Sequence, residues 1–177
     1  INGNQNKHLF NENEILNLNE KLPSDIQKYK YILLPDLIEH LYQPENFLKK
    51  LSEQTNNKQI LIASTGNIAF ITVRLMLLLG FFNYSKKGIL DKTHTRLFNF
   101  KTFKKIFINN NFNIIKTIGI PAPYPVFIKN KIIAKSLLNI NQFLIKLFPK
   151  VFSYQILLVL EPSANLKQML IKTLKNS

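Results

Sequence analysis

Side chains with chemical capacity gather at two places in this chain. The first is Asp36-Leu37-Ile38-Glu39-His40, just after the apolar run Tyr29–Leu34. The second is His94, with Arg96 two residues on, inside the polar stretch Asn83–Phe98. An Asp-x-x-Glu-His turn brings two carboxylates and an imidazole close together. Hard oxygen donors with imidazoles suit a divalent cation such as Mg²⁺, Mn²⁺ or Zn²⁺, so Asp36, Glu39, His40 and His94 form a candidate metal set. A second reading has His40 and His94 touching substrate or acting as general bases, because imidazole titrates near neutrality. A third is structural, with His40 bonded inside its turn and His94 inside its loop. Arg96, with Lys86, Lys87 and Lys92, offers cations to an anionic acceptor; the alternative is a solvated loop. Asn67, in Thr65-Gly66-Asn67, is a candidate substrate contact and a candidate helix cap. His8, in a polar lead-in, is read as a solvated bystander.

These groups need elements to hold them. Tyr29–Leu34 is apolar with little alternation, as expected of a strand covered on both faces. Pro44 opens a helix over 44–55, where a missing N–H costs nothing. Gln59–Ser64 is a second buried strand. A buried helix over 68–80 ends at Gly80. Asn99 caps a helix over 100–109, and Asn110 and Asn111 suit a left-handed terminus. Strands follow at 112–118 and 152–160, separated by an extended Pro121-Pro123-Pro125 stretch and a Lys-edged helix over 129–148. Ile15–Leu18 could add a short strand, and 164–175 a tail helix. Strand–helix alternation of this kind makes an α/β sheet with parallel members. In such sheets ligands bind at the carboxyl ends of strands, so the loops after residues 34 and 64 should share one rim.

Composition narrows the chemistry. The 177 residues are 46% hydrophobic, with 14 Phe and 6 Tyr, which excludes a disordered tail. There is no cysteine, which excludes disulfides, thiolate catalysis and Cys-based zinc sites. The formal net charge is +14 and it is lopsided. Residues 1–60 hold eight acids and seven bases; residues 61–177 hold only Asp91 and Glu161 against seventeen bases. A field of that sign attracts phosphates, nucleic acid, anionic lipid or charged glycans. The bland alternative is a compositional bias towards Lys, Asn and Ile. No secretory leader pattern precedes the first elements. The most apolar stretch, 60–82, is broken at Gly66-Asn67 into pieces shorter than the roughly 20 residues a membrane helix needs.

Taken in order, YKYILLPDLIEHLYQPENFLKKLSE and KQILIASTGN resemble the second half of a class I S-adenosylmethionine-dependent methyltransferase. Arg74-Leu75, Leu79-Gly80, Gly88-Ile89-Leu90-Asp91, Thr93-His94, Arg96, Phe98 and Phe152-Ser153-Tyr154-Gln155 continue the similarity to bacterial methyltransferases linked to surface-polysaccharide synthesis. The resemblance covers roughly residues 29–162. It implies a Rossmann-like three-layer sandwich, present in part: the second half of a mostly parallel sheet with an antiparallel last strand. Residues 1–28 would be a lead-in left from the first half, and 163–177 a tail.

The resemblance also implies roles. Leu34, Pro35 and Asp36 would line the methionine end of S-adenosylmethionine. His40 or His94 would take the proton from an acceptor oxygen on a small molecule or glycan. The metal reading resembles methyltransferases of this fold that pair a Glu-x-x-Glu-His turn with a later His; here the first Glu is Asp36. Family members carry a Gly-rich loop after their first strand, whereas the five glycines here form no Gly-x-Gly. The chain, which begins with Ile1, is therefore expected to be a truncated enzyme that binds the cofactor poorly alone. Its strand at 29–34 should lack a neighbour, leaving an edge that residues 13–19 or another chain would cover. The expected location is cytoplasmic, at the inner face of the membrane. The alternative function is a non-enzymatic basic module binding anionic membrane or nucleic acid. Nucleic acid is the weaker branch, because aromatic–basic RNA-binding motifs are missing.

Overall fold

A computed structural model of the chain describes residues 17–19, 21–23 and 25–163. Among these residues four strands form one sheet: β1 (Tyr31–Leu34), β2 (Ile60–Gly66), β3 (Phe112–Ile120) and β4 (Gln155–Pro162). Their spatial order is β1-β2-β4-β3. β1 and β2 are parallel, with Leu34 opposite Ala63. β4 enters antiparallel between β2 and β3. Its first residue, Gln155, therefore lies beside Gly66, at the carboxyl ends of the parallel strands.

The helices are α1 (Pro44–Gln54), α2 (Ile71–Leu78), α3 (Phe100–Ile108), α4 (Tyr124–Phe127), α5 (Lys131–Leu147) and α6 (Pro149–Phe152). α1 starts at its proline as expected. α3 is closed by a capping box: the Asn99 carboxamide accepts from the Lys101 and Thr102 N–H groups, and Thr102 Oγ1 accepts from Asn99 N–H at 3.0 Å. Asn111 takes φ 63°, the left-handed turn that returns the chain from α3 into β3.

The main core lies on one face of the sheet. Ile32, Leu34, Leu61, Ala63, Ile156, Leu158 and Leu160 point into it from the strands. Phe47, Leu48 and Leu51 of α1 meet them, as do Phe103, Ile106 and Phe107 of α3. Phe103 stands edge-on to Phe107, with centroids 5.2 Å apart, and Phe107 continues to Phe112 at 6.0 Å. A smaller cluster of Phe70, Val73, Ile89, Leu90 and Ala122 anchors α2 and the long loop.

Several expectations are corrected here. β1 alternates exposed and buried residues, so Tyr31 and Leu33 stand bare while Ile32 and Leu34 are covered; only one face carries a packed layer at this edge. α2 buries only Val73. The leucines that suggested a buried helix face outwards, with Leu78 81% exposed. The expected cap of that helix, Asn67, sits three residues before its N-cap, Phe70, and turns elsewhere. Part of the proline stretch is helical, as α4. The expected strand at 15–18 lies mostly outside the described residues, and Leu18 itself is in a turn. The expected tail helix at 164–175 lies outside them altogether.

Candidate functional site

Just beyond β1 the chain makes a tight corner. Asp36 takes φ 45°, unusual for a residue with a Cβ. Its N–H donates to Ser64 O at 3.2 Å, which fastens the corner to β2. A 3₁₀ turn, Ile38–His40, follows. The loop 83–98 is stitched to this turn: Thr95 N–H donates to Glu39 O at 2.8 Å, and Thr95 Oγ1 donates to Glu39 O at 2.9 Å and Leu41 O at 2.7 Å. Those bonds carry His94 to His40, whose ring centroid is 4.8 Å away in an edge-to-face arrangement.

The result is a cavity of about 280 Å³ at the rim, lined by Asp36, Glu39, His40, Gly66, Gly88, Ile89, Asp91, His94, Tyr154 and Gln155. Two glycines make room for it. A Cβ on Gly66 would stand 3.4 Å from the Ile89 Cα, so strand and loop backbones approach closely there. Gly88 has φ 94°, and a Cβ on it would press the Tyr154 hydroxyl at 3.1 Å.

The hydrogen bonds settle what each imidazole presents. His94 Nδ1 is 3.0 Å from the Ile89 carbonyl, an acceptor only, so Nδ1 carries the hydrogen. His40 Nδ1 is 3.3 Å from both Thr93 O and Thr93 Oγ1. The Thr93 hydroxyl spends its proton on Asp91 Oδ1 at 2.8 Å, so it too can only accept from His40. Neutral, both rings leave Nε2 unprotonated and able to accept a proton. The Thr93 N–H and hydroxyl hold the Asp91 carboxyl below its ordinary range.

Glu39 is 1% exposed, and its Oε2 has no hydrogen-bond partner. Burial pushes its pKa up, and repulsion from Asp36 adds to this; the Thr65 hydroxyl and His94 act in the opposite sense. Asp36 is held in place by Ser64 Oγ, which donates to Oδ1 at 3.0 Å, and by Gln155 Nε2, 2.9 Å from Oδ2. Burial, then the nearby Asp36 charge, raises the Tyr154 pKa.

The structure thus brings Asp36, Glu39, His40 and His94 to one cavity. It does not arrange them as ligands. Asp36 is turned towards Gln155 and Ser64, and Glu39 is sunk towards Thr65. Both histidines spend Nδ1 on the loop. Among the described residues no group of three or more His, Asp or Glu side chains could hold a metal, so the expected divalent site does not fit.

Other expected residues go elsewhere. Buried Asn67 donates to Lys150 O at 3.1 Å and Ser153 O at 2.8 Å, and accepts from Ala69 N–H; its side chain ties β2 to α6. Arg96 pairs with Glu45 in a separate cleft lined also by Phe98, Thr102, Lys105 and Ile106. Leu34 is in the core and Pro35 is exposed, and neither lines the cavity. Sequence reasoning gave no role to Gln155, Tyr154 or Asp91. The usable signal for the first two was the antiparallel last strand, whose start must lie where the parallel strands end.

No family model and no curated protein matches the sequence. Solved structures do match. An S-adenosylmethionine-dependent methyltransferase from Thermotoga maritima superposes with a TM-score of 0.53 at 12% identity, over 81% of this chain and 60% of that one. Another such methyltransferase, from Clostridium acetobutylicum, gives a TM-score of 0.48 at 10% identity, over 85% of this chain and 64% of that one. The fold is that of the class I methyltransferases, and the chain spans about 60% of the length of the Thermotoga protein.

Proposed function

We propose that this chain is the acceptor-side half of an S-adenosylmethionine-dependent methyltransferase that methylates an oxygen on a small molecule or glycan, in keeping with a role in surface-polysaccharide synthesis. The observation that carries the reading is the rim cavity, where the His40 and His94 imidazoles, each held through Nδ1, stand beside the carboxyl ends of β1 and β2. The residues fit the amino end of the cofactor: Asp36 offers a carboxylate at the strand end, and Oδ2 accepts only one of the bonds that hold it. Bound there, the cofactor would supply an electrophilic methyl group on a sulfonium.

The chain's own work is positioning and proton removal. Thr93 and the Ile89 carbonyl fix the two rings, so that Nε2 of His94 or His40 takes the acceptor hydroxyl's proton as its oxygen is alkylated. The cavity is small and polar, sized for one sugar ring or a comparable group rather than a polymer.

The test is a titration of the isotope-labelled chain with S-adenosylmethionine, followed by amide NMR. Shifts should concentrate at residues 34–40 and 64–67, with half-saturation above the micromolar range. No response at millimolar cofactor, or a response confined to other elements, overturns the reading.

A further inference from the structure

We infer that the outer face of α4 and α5 is a docking surface for an anionic lipid bilayer. At about 100° per residue, α5 divides into three stripes. Ala134 and Asn141 form the buried line against the fold. Diametrically opposite, Ile132, Ile140, Phe143 and Leu147 fall within about 80° of one another. All four are exposed, Ile132 at 79% and Phe143 at 61%. Phe127 of α4, which packs on α5, is 73% exposed. This outward row of Ile, Leu and Phe, interrupted by Ser136, is not explained by packing among the described residues.

The third stripe says what covers it. Lys131, Lys135 and Lys146 lie along one flank of the apolar row, and none has an ion-pair partner among the described residues. From Lys92 to Leu160 the chain contains no Asp or Glu. An apolar row edged by lysines matches a membrane interface, where side chains enter the acyl boundary and ammonium groups reach anionic headgroups. A second copy fits less well, because two such faces would bring their lysines together. No described helix is long and apolar enough to cross a membrane, so the contact is one of lying on the surface.

The test uses the 177-residue chain with vesicles of phosphatidylcholine, with and without about 30% phosphatidylglycerol, in a flotation assay. The chain should float with the anionic vesicles and not with the neutral ones, and high salt should release it. Each of Lys131→Gln, Lys135→Gln and Lys146→Gln should weaken partitioning about fivefold. Phe143→Asp should abolish binding without changing the far-ultraviolet circular dichroism, since Phe143 is outside the core. Equal binding to both vesicle types, no binding, or retention of binding by Phe143→Asp overturns the proposal. So does a stable dimer by light scattering that Phe143→Asp dissociates, which would assign the face to a second copy.

Discussion

Glu39→Gln separates the titration of one buried carboxyl from everything else in the fold. The side chain is 1% exposed, and one oxygen lacks any partner, so its charged form loses hydration without full replacement. Burial accordingly raises its pKa above the ordinary 4.5. A carboxyl raised in the folded state keeps its proton after the unfolded chain has lost it. Its contribution to stability is complete below about pH 4.5 and falls as pH climbs to the raised folded value. In that window the loss approaches but cannot exceed about 1.4 kcal/mol per pH unit, the limit for one proton. Glutamine keeps the shape and does not titrate. Urea unfolding of both proteins from pH 4 to 8 gives the difference directly, because titrations unaffected by the substitution cancel. The two should be closest at low pH, with the glutamine variant gaining steadily above pH 4.5 and levelling once Glu39 ionises in the fold. A flat difference, or wild type gaining on the variant as pH rises, would refute the burial argument.

Asn99→Ala removes the carboxamide half of the α3 capping box and leaves the backbone N–H to Thr102 Oγ1, and about 1 kcal/mol of stability should be lost in urea unfolding. Leu33 is 65% exposed on β1, the end strand of the sheet among the described residues. Leu33→Lys should slow self-association, measured by light scattering, and leave the melting temperature within a few degrees, because no core contact is removed.

Much of the fold was legible because its determinants are local. Pro44 starts α1, Asn99 caps α3 and Asn111 turns left-handed, each for reasons contained within a few residues. The order of strands and helices follows from runs of apolar residues between such stops. The grouping of Asp36, Glu39 and His40 was legible too, since one turn holds all three.

What tertiary structure decided was where each polar group spends its hydrogen bonds. Asn67 has the composition of a cap or a substrate contact. It became a buried tie because the Lys150 and Ser153 carbonyls, 83 and 86 residues away, arrived within its reach. Gln155 acquired a place at the rim because β4 runs antiparallel between β2 and β3, setting its amide against Asp36 across 119 residues of sequence. The same partnering turned a set of metal-type ligands into two hydrogen-bonded imidazoles, a braced aspartate and a sunken glutamate. Apolar periodicity marks which residues can be buried, but burial also needs a facing element. Among the described residues β1 and α2 have such a partner on one side only, and Leu33 and Leu78 are exposed.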